Sequence, residues 1–286
     1  MKYEDKVGDA LKQQRFQMLQ DIAEELSGEI TFPTTFDLTI RLRDTLSSPD
    51  WTGDQVAELL ALEPLISSRL LGLVNSAAYN TTGTEITDIK RAVVRLGMNV
   101  VRNTALSIAI QQMRRAKSML VFKDISQQLW DHSIRTASAA YVLSKHFGAY
   151  NPDEAMLAGM IHDIGAFYLL YRASQYEELV ARPDTVKHLI FRWHEGIGSI
   201  LLETLGVPEE IILAIREHDV RRPDKVTIKT LSDIIYVANI LSGSAFELEY
   251  MDDVVIEQRM LECNQAYDHL TEEIDQYENE LRTIFS

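Results

Sequence analysis

The chain has 286 residues, 46% hydrophobic and 25% charged, a soluble globular composition with room for one large domain or two small ones. Only 13 glycines and 7 prolines occur, which argues against long disordered linkers and against a many-turned β-sandwich. The formal net charge is −15, and residues 242–286, with 12 acidic and 2 basic side chains, carry −10 of it; such a balance repels a phosphate backbone and disfavours nucleic-acid binding outside a small local basic site around Arg221 and Arg222.

Residues 1–29 read as one helix, with Val7, Leu11, Met18, Leu19, Ile22 and Leu26 at helical spacing ahead of Gly28. The same stretch has acidic residues and no apolar core, so it does not read as a signal peptide. No run of about 18 apolar residues occurs, so no membrane association is expected. The single cysteine, Cys263, has no partner for an internal disulfide. A cytoplasmic address is the expectation that follows.

Pro33 and Thr34 open the next helix, which "SSPD" interrupts. Thr52 or Gly53 starts another, with Asp54 in its first turn, where negative charge is favoured. Glu63-Pro64 breaks that helix and opens a third, because proline suits a first helical position and not an interior one. "ITDIKRAVVRLGMNVVRNTALSIAIQQM" predicts two short helices joined around Gly97-Met98. Asp124 to Gly148 forms a long amphipathic helix with a glycine stop. Asn151, Pro152, Asp153 and Glu154 supply a capping amide, a first-turn proline and two acids, and the helix they start carries "LAGMIHDIGAF". Helices over roughly 184–205 and 208–218 follow, and another begins near Ser232. Neither a strand pattern nor an internal repeat is found, so the fold class is all-α.

The last segment, 260–285, places Met260, Cys263, Tyr267, Leu270, Ile274, Tyr277, Leu281 and Ile284 at alternating steps of three and four. This heptad stripe on an acidic helix has two uses: lying on the domain's own core, or pairing two copies into a homodimer. Cys263 sits on the stripe and reads as a small buried hydrophobe.

Four of the seven histidines fall where helices can converge. His132 shares a helix face with Thr136, Ala139, Ala140 and Leu143, small enough in part for another helix to come close. His162 adjoins Asp163, His194 lies in "WHEGIGSILLETLG", and His218 shares an apolar face with Ile211 and Ile215. Imidazole nitrogens and a carboxylate suit a divalent metal such as Mn, Fe, Zn or Mg, and a pair of ions could activate water against a phosphoryl group. A single histidine on an apolar face is more often a core residue. His146, His188 and His269 read as surface histidines.

"LWDHSIRTASAAYVLSK" followed about thirty residues later by "NPDEAMLAGMIHDIG" resembles the HD phosphohydrolase superfamily. "FPTTFDLTIRLRDTL", "VAELLALEPLISSRLLGLVNSAAY" and "ITDIKRAVVRLGMNVVRNTALSIAI" narrow the likeness to the HDOD module, the HD-related output domain of bacterial signalling proteins. The resemblance implies a helical bundle of HD type with an N-terminal helical subdomain. Its span is 30–225, divided into 30–120 and an HD-like part 121–225, with residues 226–286 completing the bundle. It also implies metal ligands at His132, His162 and Asp163, and a fourth at a late aspartate, where this chain has Asn239. His194 and His218 match additional ligand positions of the cyclic-dinucleotide phosphodiesterase branch. That branch also has a lysine after the glycine of its HD motif, a GYP motif and a His-His pair; here Ala166 follows Gly165, no GYP occurs, and Asp219 follows His218.

A neutral amide is a poor ligand for a divalent ion, and Asp233, six residues before Asn239, lies on another helix face. The expectation is therefore a non-catalytic signalling module, with no cofactor, that binds a partner protein or small ligand through a decayed HD-type site. One alternative is a metal-dependent phosphohydrolase acting on a nucleotide or cyclic dinucleotide, with Asp163 catalytic; another is a site that binds metal or nucleotide without turning it over.

Overall fold

The computed structural model describes residues 12, 13, 16, 17, 20, 21, 24, 36–76, 79–80, 83–148, 150–216, 218–219, 222, 227–243 and 265–285. Among these no strand occurs, and the chain is all-α. Val7, Leu11, Met18, Leu19, Ile22 and Leu26 of the expected N-terminal helix, together with Pro33, Thr34, Arg221, Met260 and Cys263, lie outside the described residues.

Among the described residues from 36 to 116, five helices follow in order: α1 (Asp37–Ser47), α2 (Gly53–Ala61), α3 (Pro64–Val74), α4 (Ile89–Leu96) and α5 (Met98–Arg114). The boundaries follow local chemistry. Thr52 caps α2 in a reciprocal box: its hydroxyl accepts from the Gln55 amide at 3.3 Å, and the Gln55 side chain accepts from the Thr52 amide at 2.9 Å. Pro64 is the first residue of α3. Asn75, in the "NSA" sequence, donates to the carbonyls of Leu71 and Ile86 and accepts from the Ile86 amide, which ties the loop after α3 back onto it. Gly97, at φ 79°, turns the chain between α4 and α5. The second of these helices spans 17 residues rather than being short, because its apolar positions continue unbroken into the core.

A 3₁₀ turn, Lys117–Phe122, leads into α6 (Lys123–Phe147), which ends at left-handed Gly148. Around it come α7 (Pro152–Ile161), α8 (Ile164–Ala173), α9 (Glu177–Val180), α10 (Pro183–Thr204), α11 (Glu209–Arg216) and α12 (Leu231–Leu241). Asn151 caps α7 by accepting from the amides of Asp153 and Glu154. α6 packs along α7 and α12, and α8 packs along α10.

Two of these crossings are set by glycine. A β-carbon on Gly159 of α7 would lie 2.8 Å from Ala137 Cα of α6, and one on Gly165 of α8 would overlap the His194 carbonyl and come 2.6 Å from Gly198 N of α10. Backbone therefore meets backbone at both places, a spacing no larger residue permits.

The C-terminal stripe lies on its own chain. A 3₁₀ turn at Asp268–Leu270 precedes α13 (Thr271–Ile284), and Leu270, Ile274, Tyr277 and Leu281 are buried against the bundle. Phe285 sits edge-on to Trp130, and its carbonyl accepts from Gln111. Tyr277 stacks on Tyr141 at 4.0 Å. Polar contacts add to this: Arg135 pairs with Asp275 and Glu278, Lys145 with Glu273, and Arg282 with Asp131. From Leu270 to Leu281 the stripe is thus occupied within one chain, and a homodimer through α13 would have to use its exposed acidic face.

The glycine crossings yield a paired prediction. Gly165→Ala lowers stability by about 3 kcal/mol or more, since helix backbones must separate to admit a methyl group. Gly196→Ala, on α10 with nothing within 4 Å of its added carbon, leaves stability unchanged or raises it by up to about 1 kcal/mol. Urea unfolding of the two variants checks the contrast; equal effects would contradict it.

Candidate metal centre

The motif does not lie within one helix, as its sequence suggests. α7 ends at Ile161, His162 follows as its C-terminal cap, and Asp163 precedes α8. An aspartate in that position ordinarily caps the helix it precedes. The Asp163 side chain makes no such bond and turns into the bundle, where it is 1% exposed.

Four histidines meet it there. His162 Nε2 lies 3.2 Å and His132 Nε2 3.8 Å from Asp163 Oδ2. On the other side, His194 Nε2 is 3.7 Å and His218 Nε2 3.5 Å from Oδ1. The carboxylate thus faces two histidine pairs, one oxygen to each. Within each pair the Nε2 atoms are 3.2 Å apart. Neither Asp163 oxygen receives a hydrogen bond of good geometry among the described residues.

Ring orientation is fixed from behind. Nδ1 of His162 donates to the Gly159 carbonyl at 2.7 Å, that of His194 to Ile190 at 2.9 Å, and that of His218 to Ile215 at 2.6 Å. A carbonyl can only accept, so each Nδ1 carries a proton and each Nε2 faces the centre, the nitrogen through which the ring can bind metal when it is unprotonated.

Asn239, on α12, closes the cluster. Its Nδ2 donates to Asp219 Oδ1 at 2.8 Å, and its Oδ1 lies 2.8 Å from His132 Nε2. A carboxylate cannot donate, so the amide orientation is set, and His132 must donate its Nε2 proton to Asn239. His132 Nδ1 is left buried without a partner.

Asp219 is the residue that sequence reading misses. It follows His218 beyond α11, where the expectation registers only a missing second histidine. Its Oδ2 lies 3.2 Å from His194 Nε2 and its Oδ1 3.6 Å from His218 Nε2. Its amide donates to Glu195 Oε1 at 3.2 Å. A carboxylate directly after the last histidine is the one signal that could have pointed to it. Asp233 lies elsewhere, in the cap of α12 with Thr230 and paired to Arg222 at 2.8 Å. That pairing also occupies the arginine of the expected local basic site.

Charge divides the cluster. Burial, assisted by His162, pushes His132 down to about 4, so it is neutral. For His194, burial works toward the neutral form, but Asp219 and Asp163 outweigh it and hold it up at about 9. His218 is raised well above its ordinary value by the same two carboxylates against burial. Burial would raise Asp163 and Asp219, yet the histidines hold both low. Two imidazolium ions therefore balance two carboxylates.

By spacing alone, the donors on either side of Asp163 suit a divalent cation, with nitrogen and oxygen atoms 3.2–3.8 Å apart. Bonds of ~2.0–2.1 Å at tetrahedral angles place donors at about that separation. His132, His162 and Asp163 would form one half, and His194, His218 and Asp163 the other.

Residues 32–220 match the HDOD domain family. Among solved structures, a protein of Shewanella amazonensis SB2B, provisionally named a metal-dependent phosphohydrolase, is 23% identical with a TM-score of 0.69, over 95% of this chain and 99% of that one. An HDOD domain protein of unknown function from Geobacter sulfurreducens is 22% identical with a TM-score of 0.57, over 95% and 98%. At such identities the likeness speaks for the fold. No curated protein matches the chain.

The titrations predict a bell-shaped stability profile for metal-stripped protein. His132 resists protonation when folded, so its contribution is complete above its unfolded value and is lost as pH falls from about 6.5 toward 4, amounting to about 2 kcal/mol by pH 5. His194 stabilises while charged, and that contribution is lost as pH rises from about 6.5 through 9. Thermal unfolding from pH 4.5 to 9.5 checks both limbs. His132→Gln should flatten the acid limb alone; a profile flat to pH 9 would contradict the His194 assignment.

Proposed function

The chain belongs to the HDOD family, and on that premise we propose that it is a non-catalytic regulatory module, binding a signalling partner protein or a small ligand rather than hydrolysing a phosphoester. The observation that carries this reading is Asn239. At the position where the HD pattern has a carboxylate, its amide spends one end on His132 and the other on Asp219. That half of the cluster gains neither the negative charge nor the free His132 lone pair that ion binding needs.

Access and charge support the same reading. His132, His162, Asp163, His194 and His218 are each 4% exposed or less, which leaves a phosphoester little approach to their inward nitrogens. Ala166 is fully buried on α8 and supplies no cation. A groove of about 460 Å³ borders His132, lined also by Arg135, Arg282, Ser242 and Gly243. Both arginines are already engaged by carboxylates of Asp131, Asp275 and Glu278, so an incoming phosphate would have to compete with those carboxylates for them. A module of this kind acts through its surface. Trp193 and Ile200, two turns apart on α10, are 48% and 40% exposed and suit contact with a protein.

One observation favours the hydrolytic alternative: Asp163 presents an oxygen to each of two histidine pairs. A divalent ion held in such a pair can polarise a phosphoryl oxygen and lower the pKa of a bound water. In that reading His132, His162, His194 and His218 would orient the reacting groups around Asp163.

The test is hydrolysis of bis(p-nitrophenyl) phosphate and of cyclic dinucleotides by protein supplied with manganese. The expected result is no turnover above that of Asp163→Asn. Turnover that the variant abolishes would overturn the proposal.

A further inference from the structure

The cluster is asymmetric in a way the HD pattern does not anticipate. The late carboxylate is absent at 239, but a different carboxylate, Asp219, stands on the opposite flank, joined to Asn239 by a 2.8 Å hydrogen bond. We propose that the negative charge has been relocated from position 239 to position 219, and that the chain holds a single divalent transition-metal ion between His194, His218, Asp219 and Asp163. This rests on the non-catalytic reading, in which such an ion is structural or sensory.

Four observations carry it. First, this flank has a complete donor set: two imidazole Nε2 atoms 3.2 Å apart, Asp163 Oδ1 at 3.7 and 3.5 Å from them, and Asp219 oxygens at 3.2 and 3.6 Å. Two neutral imidazoles and two carboxylates leave a bound divalent ion with no net charge, which a buried site requires. Second, Asp219 Oδ2 and both Asp163 oxygens are buried acceptors lacking a hydrogen bond of good geometry among the described residues. Buried polar atoms in that condition call for a partner. Third, the ligands are already oriented from behind, through the Ile190 and Ile215 carbonyls on the two rings and the Asn239 amide on Asp219. Fourth, the Asp219 and Glu195 side chains at the edge of this flank are 16% and 29% exposed, so its carboxylate end meets solvent.

The opposite flank lacks these properties. His132 directs its Nε2 proton at Asn239, so binding an ion there would require a change of tautomer, the loss of that hydrogen bond, and acceptance of a neutral amide as fourth ligand. The mixed nitrogen and oxygen donors of the Asp219 flank suit zinc, cobalt, iron or manganese rather than calcium, which takes oxygen ligands.

Cobalt(II) provides the test, because binding is read without any activity. Metal-stripped full-length protein is titrated with Co²⁺ and followed by visible absorption and calorimetry. The expected result is one ion per chain. Asp219→Asn, which keeps shape and loses charge, should weaken binding at least ~100-fold, more than loss of a merely supporting partner costs, and His132→Gln should weaken it no more than about tenfold. Circular dichroism confirms that each variant folds, and His194→Gln repeats the test if Asp219→Asn does not. The inverse ranking, two ions per chain, or no uptake by the parent protein would overturn the site. Phosphodiester turnover by the loaded protein would instead overturn the non-catalytic reading and leave the site standing.

Discussion

The constraint on which the bundle's second half depends is the Asp163 carboxylate, buried at 1% exposure with no hydrogen-bond donor among the described residues well aligned to it. An isolated ionised carboxylate in a low-dielectric interior is prohibitively costly, so the surrounding structure must bring compensating charge to it. Four imidazoles arrive from separate parts of the chain: α6, the α7–α8 junction, α10 and the segment after α11. They can do so because helices cross at backbone contact through Gly159 and Gly165. The glycine of the HD sequence is thus a packing residue. It lowers α8 onto α10 at His194 and so sets the distance from that ring to the carboxylate.

Compensation is complete within the chain on one side and only neutral on the other. His194 and His218, as imidazolium ions, offset Asp163 and Asp219, whereas His132 and Asn239 form a neutral hydrogen-bonded pair. This asymmetry is what favours the proposed non-catalytic reading, since hydrolysis would call for the reverse, with a carboxylate at 239 and an open approach for a phosphoester. The acidic α13 adds to the closure: its Asp275 and Glu278 hold Arg135, while Asp131 of α6 and Glu278 hold its own Arg282, the two cations beside the groove at His132.

Much of this is legible in sequence because helices announce themselves locally. Thr52, Glu63-Pro64, Gly97, Gly148 and Asn151-Pro152 act through hydrogen bonds and dihedral preferences within a turn or two, and the helix boundaries fall where they indicate. The convergence of His132, His162, Asp163, His194, His218 and Asn239 is legible from their resemblance to the HD pattern, since no local rule links residues 107 positions apart. Asp219 is not legible, because an acid after a helix end reads as solvated and only tertiary packing against His194 gives it a role. The heptad stripe is ambiguous for a related reason. Period alone specifies an apolar face and not its partner, and Tyr141, Trp130 and Gln111, which decide the matter, lie far away in sequence. The position of His162-Asp163 between two helices is likewise hidden, as both flanks are continuously apolar.

The central claim, a carboxylate balanced by two charged histidines on one side and facing a neutral one on the other, is open to direct observation. Long-range ¹H–¹⁵N correlation of the imidazole nitrogens in metal-stripped protein at neutral pH reads each protonation state. His194 and His218 should carry protons on both ring nitrogens, His162 on Nδ1, and His132 on Nε2 alone. Neutral rings at both His194 and His218, or a charged His132, would contradict the arrangement described.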